Sequence, residues 1–218
     1  MNSMEKDSGE KNTKVKNTKE KILEEALKLF AQRGYVGTSM SDIATALGVT
    51  KAALYKHYTS KQQILDSIVE KMNHMDMARV KEYDMPDGDL EEVRRAYQEV
   101  EPNKIKEFTR VQFSYWTEEE FSGCFRRMLT LERYRNPELA KLYQHYLSNG
   151  PLSYMEEIFK GFTNDEGEAR QLALDFYGPI FLLYSIYDET DDKESIFSQL
   201  EQHVERFSKN CSRNKRWS

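Results

Sequence analysis

The side chains best suited to chemistry lie in one short segment of the first third of the chain. Lys51 and Lys56 carry positive charges that can neutralise phosphates. Ala52 is small enough to let a backbone approach base edges or thymine methyl groups. Tyr55 can donate to a phosphate or pack on a sugar or base, and Lys61 is a further candidate for a phosphate contact. The segment indicates either a nucleic-acid contact or solvated lysines on an ordinary helical hairpin.

Two short helices must position these side chains. Ser39 and Asp42 have the spacing of a capping box, so we predict a helix that begins at Ser39 and ends at Gly48. Thr50 can cap the next helix, which we predict from Lys51 to Tyr58. Two short helices around a three-residue turn that contains glycine are typical of a helix-turn-helix.

The composition favours helices along the whole chain. Ten glycines and five prolines in 218 residues are few for a many-stranded protein, and 32% of the residues are charged. Apolar residues recur at helical spacing from Thr18 onward, and the last two helices are predicted over 168–187 and 193–208. We therefore predict an all-α fold. Its parts are a disordered polar arm (1–17), a three-helix head (18–62), a helical body (63–208) and a basic tail (209–218).

The net charge of −5 is unevenly distributed. Residues 1–61 hold eleven Lys and Arg against seven Asp and Glu, so the acidic excess lies in the remainder. This asymmetry indicates that the front of the chain meets a polyanion. Two cysteines, Cys124 and Cys211, do not make a disulfide framework, and the first twenty residues have no apolar core like that of a secretory signal. We expect a cytoplasmic protein without a membrane contact.

The segment from Thr18 to about Ile68 resembles the DNA-binding head of the TetR family of bacterial regulators. The residues that carry the resemblance are Phe30–Gly34–Tyr35, Thr38-Ser39-Met40, Asp42-Ile43-Ala44, Leu47-Gly48-Val49, Leu54-Tyr55, His57-Tyr58 and Lys61. The resemblance implies phosphate contacts by Thr38, Ser39 and Lys61. It also implies that six residues face the major groove and its rim: Thr50, Lys51, Ala52, Tyr55, Lys56 and His57.

TetR-like proteins are dimers whose last two helices pair into a four-helix bundle, and the sequence supports this independently. The helix over 168–187 is apolar on two sides, so it needs a partner on both. One side can meet its own core and the other a second protomer. The residues predicted for the dimer interface are Leu174, Phe181, Tyr184, Leu200 and Val204.

The aromatic residues of the middle helices can form a plain core or line a cavity, and the resemblance implies a cavity. The residues predicted to line it for an effector are Phe113, Trp116, Phe125, Tyr146 and Tyr177. Ring faces, with the carboxylates of Glu99, Glu107 and residues 118–120 nearby in sequence, suit an apolar or cationic small molecule.

We therefore predict a DNA-binding transcriptional regulator, a repressor that binds a palindromic operator as a dimer and is released by a small molecule. One alternative is a helix-turn-helix regulator that responds to a protein partner or to nothing. A remote alternative is a Mg²⁺-dependent helical enzyme that uses the acidic run at Asp188, Glu189, Asp191 and Asp192. The sequence has no His/Cys ligand spacing, phosphate loop or nucleophile elbow, so we expect no cofactor and no metal.

Overall fold

The computed structural model describes residues 4–163 and 165–213, and the side chains of residues 17–163 and 165–211. Within these ranges the chain forms eleven helices and no strand, which confirms the predicted all-α fold. The helices are α1 (Met4–Arg33), α2 (Met40–Ala46), α3 (Lys51–Tyr55), α4 (Lys61–Glu82), α5 (Leu90–Tyr97), α6 (Pro102–Thr117), α7 (Glu120–Glu132), α8 (Pro137–Leu147), α9 (Asn149–Phe159), α10 (Glu166–Glu189) and α11 (Lys193–Arg213).

Both ends of the described chain are more helical than the sequence predicted. Helix α1 begins at Met4, so the prediction of a disordered arm is wrong for residues 4–17. The Lys and Glu residues that make this segment polar are also good helix formers, and they extend a helix that the apolar stripe after Thr18 already stabilises. At the other end α11 continues to Arg213, and residues 214–218 of the predicted basic tail lie outside the described residues.

Helices α1, α2 and α3 form a small head around a shared apolar core. Phe30, Ile43 and Leu54 come from the three helices in turn, belong to one buried cluster and are each at most 1% exposed. Burying such a side chain contributes about 1.5–3 kcal/mol to folding. Helix α1 ends at Gly34, whose φ of +82° is in the left-handed region that favours glycine.

Helices α4 to α11 form the body, in which aromatic rings fill the interior. Phe113 is fully buried and stacks on Tyr184, with ring centroids 5.0 Å apart and planes at 6°. Helix α10 packs against α6, α9 and α11, so it is the central helix of the body. It continues through Pro179, which removes one intrahelical donor. Asp175, whose carbonyl loses that donor, is exposed, so water can satisfy the carbonyl.

A buried carboxylate joins the head to the body. Glu132, in the last turn of α7, is 1% exposed, and its Oε1 accepts a hydrogen bond from the Val36 N–H at 3.2 Å. A side chain at Gly34 would collide with the same carboxylate. Among the described residues, Glu132 Oε2 has no hydrogen-bond partner. Helix α1 also packs along α7 and α4 through apolar side chains, so the buried Glu132 carboxylate adds a polar contact, made to a single main-chain donor, to an apolar junction.

Candidate DNA interface and effector cavity

Helix α3 presents a polar and basic surface to solvent. Leu54 is 1% exposed and holds the helix to the head, while Lys51, Ala52, Tyr55 and Lys56 on the opposite side are exposed. The Lys51 ammonium lies 5.9 Å from the centre of the Tyr55 ring, so the charge and the ring form one surface. This arrangement suits phosphates flanking a groove, with the small Ala52 between them.

The turn before α3 fixes the angle between the two short helices. Gly48 adopts φ of +67°, and the Val49 N–H donates to the Ala44 carbonyl at 3.0 Å. The hydroxyl of Thr50 accepts from the Ala53 N–H at 3.2 Å, which caps α3 as predicted. The predicted helix-turn-helix is therefore present, although regular α-helix ends at Tyr55 rather than Tyr58.

The start of α2 differs from the expectation at one residue. Ser39 is exposed and forms the predicted capping box: it accepts from the Asp42 N–H at 3.2 Å, and Asp42 Oδ2 accepts from the Ser39 N–H at 2.7 Å. Thr38, however, is 1% exposed, and its hydroxyl donates to the Gly34 carbonyl at 2.9 Å. The prediction that the Thr38 side chain touches phosphate is wrong, because this hydroxyl serves the backbone at the end of α1.

Lys61 is also committed to the backbone. Its Nζ donates to the carbonyls of Tyr35 and Thr38 at 2.6 and 2.7 Å, and it lies 4.3 Å from the centre of the Tyr35 ring. Burial lowers the pKa of this ammonium, while the charge of Glu132 opposes the shift. The structure assigns Lys61 to positioning residues 35–38 rather than to the phosphate contact that was predicted. The His57 side chain is half-buried beside the exposed α3 residues.

A cavity of about 550 Å³ lies inside the body. Its walls are mainly apolar and aromatic, as is typical of small-molecule sites. The lining residues include Val80 near the end of α4, Met85 in the loop after it, Ile105 and Phe108 on α6, Met155, Ile158 and Phe159 on α9, and Phe176 and Ile180 on α10.

Three of the five predicted cavity residues lie at this cavity, and two do not. Trp116, Tyr146 and Tyr177 line it. Phe113 and Phe125 are fully buried behind the wall: Phe113 packs on Tyr184, and Phe125 meets Tyr146 edge to face with centroids 5.1 Å apart. The prediction for Phe113 and Phe125 is therefore wrong, because their rings fill the core that supports the wall.

Four polar side chains that the sequence did not predict lie close together on the cavity wall. Asn73 and Asp76 come from α4, Gln112 from α6 and His145 from α8. Burial raises the pKa of the Asp76 carboxyl, whereas the nearby charges of Arg79 and His145 lower it. The available signal was the charged pair Asp76 and Arg79 on the apolar side of α4 beside the buried Met72. The glutamates that the sequence predicts near the cavity, at 99, 107 and 118–120, are exposed and do not line it.

The exposed apolar residues of α10 form a strip along one side of the body. Leu174, Phe181, Leu182 and Ile186 are 43%, 37%, 59% and 39% exposed. A Cβ added at Gly178, between them, would meet no neighbouring atom. We call these four residues the α10 strip. A monomer leaves its apolar area in water, so the strip is a candidate contact between protomers.

Three residues predicted for the dimer interface are buried within the protomer. Tyr184 is 8% exposed, and Leu200 and Val204 are each 1% exposed. The prediction for these residues is wrong, because α11 has a single apolar stripe and uses it against its own core. Of the predicted set, only Leu174 and Phe181 are available to a second chain.

The acidic run after α10 is not arranged as a metal site. Both Asp188 oxygens accept from the Arg126 guanidinium, at 2.6 and 2.7 Å. Within the described ranges, no group of three His, Cys, Asp or Glu side chains is placed to hold a metal ion. Asp188 is thus used in an ion pair with Arg126. Across the same ranges, every helix is too short or too polar to span a membrane.

The sequence matches known regulators over the head and beyond it. Residues 22–68 match the family model described as bacterial regulatory proteins, tetR family. The biofilm operon icaADBC negative transcriptional regulator IcaR of Staphylococcus aureus is 31% identical over 129 residues, which cover 56% of this chain and 68% of IcaR. IcaR of Staphylococcus epidermidis is 42% identical over 50 residues, which cover 23% of this chain and 27% of that protein.

Solved structures share the fold across most of the chain. A transcriptional regulator from Aquifex aeolicus VF5 has a TM-score of 0.62 at 18% identity, covering 86% of this chain and 98% of that one. AibR, solved with isovaleryl coenzyme A and operator DNA, has a TM-score of 0.57 at 22% identity, covering 84% of this chain and 95% of AibR. At these identities the likeness concerns the fold alone. The family model and the IcaR match together show that the chain belongs to the TetR family of bacterial regulatory proteins and is a DNA-binding regulator of transcription.

Proposed function

We propose that the protein is a repressor that binds a two-fold symmetric operator as a homodimer and leaves it when a small molecule fills the cavity. The observation that carries the proposal is the path of α4. This helix begins at Lys61, which is bonded to the head, and continues to Asn73 and Asp76 in the cavity wall. A ligand that displaces the wall therefore acts on the helix that holds the head.

The sign of regulation and the effector are supported by what is known of similar proteins. IcaR is a negative transcriptional regulator, which favours repression here. AibR has been solved with a coenzyme A ester and operator DNA together, which supports a fold that serves both partners. An effector releases DNA only if it binds the released state better than the DNA-bound one. A tenfold loss of operator affinity requires about 1.4 kcal/mol of coupling, and DNA must weaken the effector equally.

The exposed face of α3 is proposed to read the operator. Lys51 and Lys56 neutralise phosphates, Ala52 and Tyr55 face the groove, and Thr50, Ser39 and His57 complete the rim of this surface. In a dimer the two α3 helices then lie about 34–36 Å apart, or a multiple of that distance, to enter successive turns of one groove.

Selection of binding duplexes from a random pool tests this proposal. The pool should yield a sequence with two-fold symmetry, and the Lys51/Tyr55/Lys56 triple alanine variant should lose its preference for that sequence. A matched control replaces Lys81, Tyr134 and Lys141, exposed residues of the same types on the body, and should bind normally. Equal binding by the two triple variants would contradict the assignment of α3.

The release step has a separate test. Trp116 fluorescence reports which compounds bind the cavity. Addition of such a compound should lower the affinity for the operator. If compounds fill the cavity and none changes operator affinity, effector release is wrong. If none binds, control by a protein partner, or by nothing, replaces it.

A further inference from the structure

The cavity is chemically two-sided. Most of its wall is formed by rings and aliphatic side chains, including Tyr97 of α5 and Tyr154 of α9, while its amide, carboxylate and imidazole side chains form a polar end contributed by α4, α6 and α8. Apolar walls contribute affinity for any compound of suitable size, whereas the few polar groups decide which compound is preferred. The charge that this polar end offers to a ligand therefore determines the ligand class.

The Nη–H groups of Arg79, the arginine that pairs with Asp76, are used by the protein. Arg79 is 6% exposed, and its Nη1 donates to Asp76 Oδ1 at 3.3 Å and to Gln112 Oε1. Its Nη2 donates to Asp76 Oδ1 at 3.1 Å and to the Met75 carbonyl at 3.3 Å. The guanidinium also lies against the Tyr115 ring, 3.1 Å from its centre, and Arg79 is not among the residues that line the cavity. An anionic ligand would find no free Nη–H of Arg79.

The anion at the polar end, by contrast, is available. Both hydrogen bonds that Arg79 donates to Asp76 go to its Oδ1, and Asp76 Oδ2 accepts no hydrogen bond from the residues that the structure describes. Asp76 lines the cavity and its side chain keeps 31% of its exposure. Desolvation by burial raises the pKa of this carboxyl, so its ionised form lacks the stabilisation that water gives. A cation in the cavity would restore that stabilisation.

Two amide groups lie beside Asp76, and both use their oxygens within the protein. The carbonyl oxygen of Asn73 accepts from the Tyr146 hydroxyl, and that of Gln112 accepts from Arg79. Burial raises the pKa of Tyr146 to about 12, so its hydroxyl stays protonated and keeps donating. The amide N–H groups cannot bind an ammonium, which has no lone pair, so Asp76 Oδ2 is the charged acceptor that such a ligand meets at this end.

We infer that the cavity takes an apolar amine, whose protonated nitrogen binds Asp76 Oδ2 and whose hydrophobic part packs among the rings of the opposite wall. The inference rests on the proposed function, in which this cavity is the effector site. Trp116 and Tyr146 line the same cavity and add attraction for a cation through their ring faces.

Three compounds of one skeleton test the ligand class: phenylbutylamine, phenylbutanol and phenylbutanoic acid. Calorimetric titration of the whole protein at neutral pH should give the amine an affinity at least about tenfold above the alcohol, with the acid weakest. Asp76→Asn should reduce the affinity for the amine to the affinity for the alcohol. Glu107→Gln removes a carboxylate from the exposed side of α6 and should leave the affinity for the amine unchanged.

The outcomes separate the two proposals. Any of three results would overturn the ligand class. The acid and the amine could bind equally, the amine could fail to bind at about 1 mM, or a folded Asp76→Asn variant could keep the wild-type affinity for the amine. If that variant fails to fold, the ranking of the three compounds on the wild type decides. If the amine binds through Asp76 and the selected operator is held as tightly as before, the ligand class stands and effector release is wrong.

Discussion

The ammonium of Lys61 donates to the carbonyl oxygen of Thr38 at 2.7 Å, and this bond ties the first residue of α4 to the residue before the α2 cap. The same nitrogen binds the Tyr35 carbonyl at 2.6 Å. Residues 35–38 connect the first two helices of the head. Their position, and with it that of α2, therefore depends on a lysine that belongs to the next helix.

We expect Lys61→Met to destabilise the protein by about 1–3 kcal/mol, because two carbonyls lose a charged donor. Operator affinity should fall, yet its dependence on salt should keep the wild-type slope, since no phosphate contact is lost. Lys56→Ala is the comparison, and its slope should be smaller by about 0.9. Operator titrations over a range of salt concentrations, with thermal unfolding of each variant, measure both quantities. A Lys61→Met slope as low as that of Lys56→Ala would restore Lys61 as a phosphate ligand.

We expect Phe181→Lys to convert a dimer into a monomer, because the α10 strip would then place a charge against its own copy. Light scattering at about 10 μM protein and operator titration should show the smaller mass and weaker binding together. Leu131→Lys changes a residue of similar exposure on α7 and should remain dimeric. A monomeric wild type, or equal behaviour of the two variants, would contradict the role of the strip.

The sequence predicted the head well, because its signals are local. Caps at Ser39 and Thr50 and the glycines at 34 and 48 act within a few residues, and the structure has them where the spacing placed them. The cavity end could not be predicted in this way. Its polar residues come from three helices far apart in the chain, and although Asp76 and Arg79 lie on the apolar side of α4, no spacing in the sequence places them beside Gln112 and His145.

The dimer prediction failed where an apolar residue had two possible uses. The family resemblance predicts Leu200 and Val204 at the dimer interface, because TetR-like proteins pair through their last two helices. The structure uses both against α10 and the remaining core, and the opposite side of α11 carries Ser198, Gln202 and Glu205. Of the last two helices, α10 is the one whose described residues include large apolar side chains that remain exposed.

We expect Arg126→Met to lower the free energy of unfolding by about 1–3 kcal/mol. Arg126 is 4% exposed, pairs with both oxygens of Asp188 and donates from Nε to the Trp116 carbonyl at 2.9 Å. The variant would leave that carbonyl without its donor. Asp188→Asn keeps one oxygen acceptor and should lower the free energy of unfolding by less than Arg126→Met does, because the Asp188 carboxylate is partly exposed. Urea unfolding of both variants tests the order, and an equal loss would mean that the ion pair dominates over the carbonyl contact.

We expect the affinity for phenylbutylamine to fall as the pH is lowered below neutrality. Burial raises the pKa of Asp76, so its proton returns at a higher pH than for an ordinary aspartate and removes the charge that the amine needs. Arg79 and His145 also face this carboxyl, and the His145 ring lines the same cavity. His145→Gln removes that ring and should keep the pH dependence. A flat profile in this variant would show that Asp76 does not hold the amine.

The contact between Glu132 and Val36 has a consequence for how members of this family can diverge. The head must offer a free N–H at residue 36 and a glycine at residue 34, because the carboxylate of α7 occupies the space that a side chain would need. A recognition module taken from a relative with a larger residue at that position would not seat on this body. A chimaera should therefore regain its transition temperature only when Glu132 is exchanged together with the module, and the two halves of the chain are expected to evolve as a matched pair.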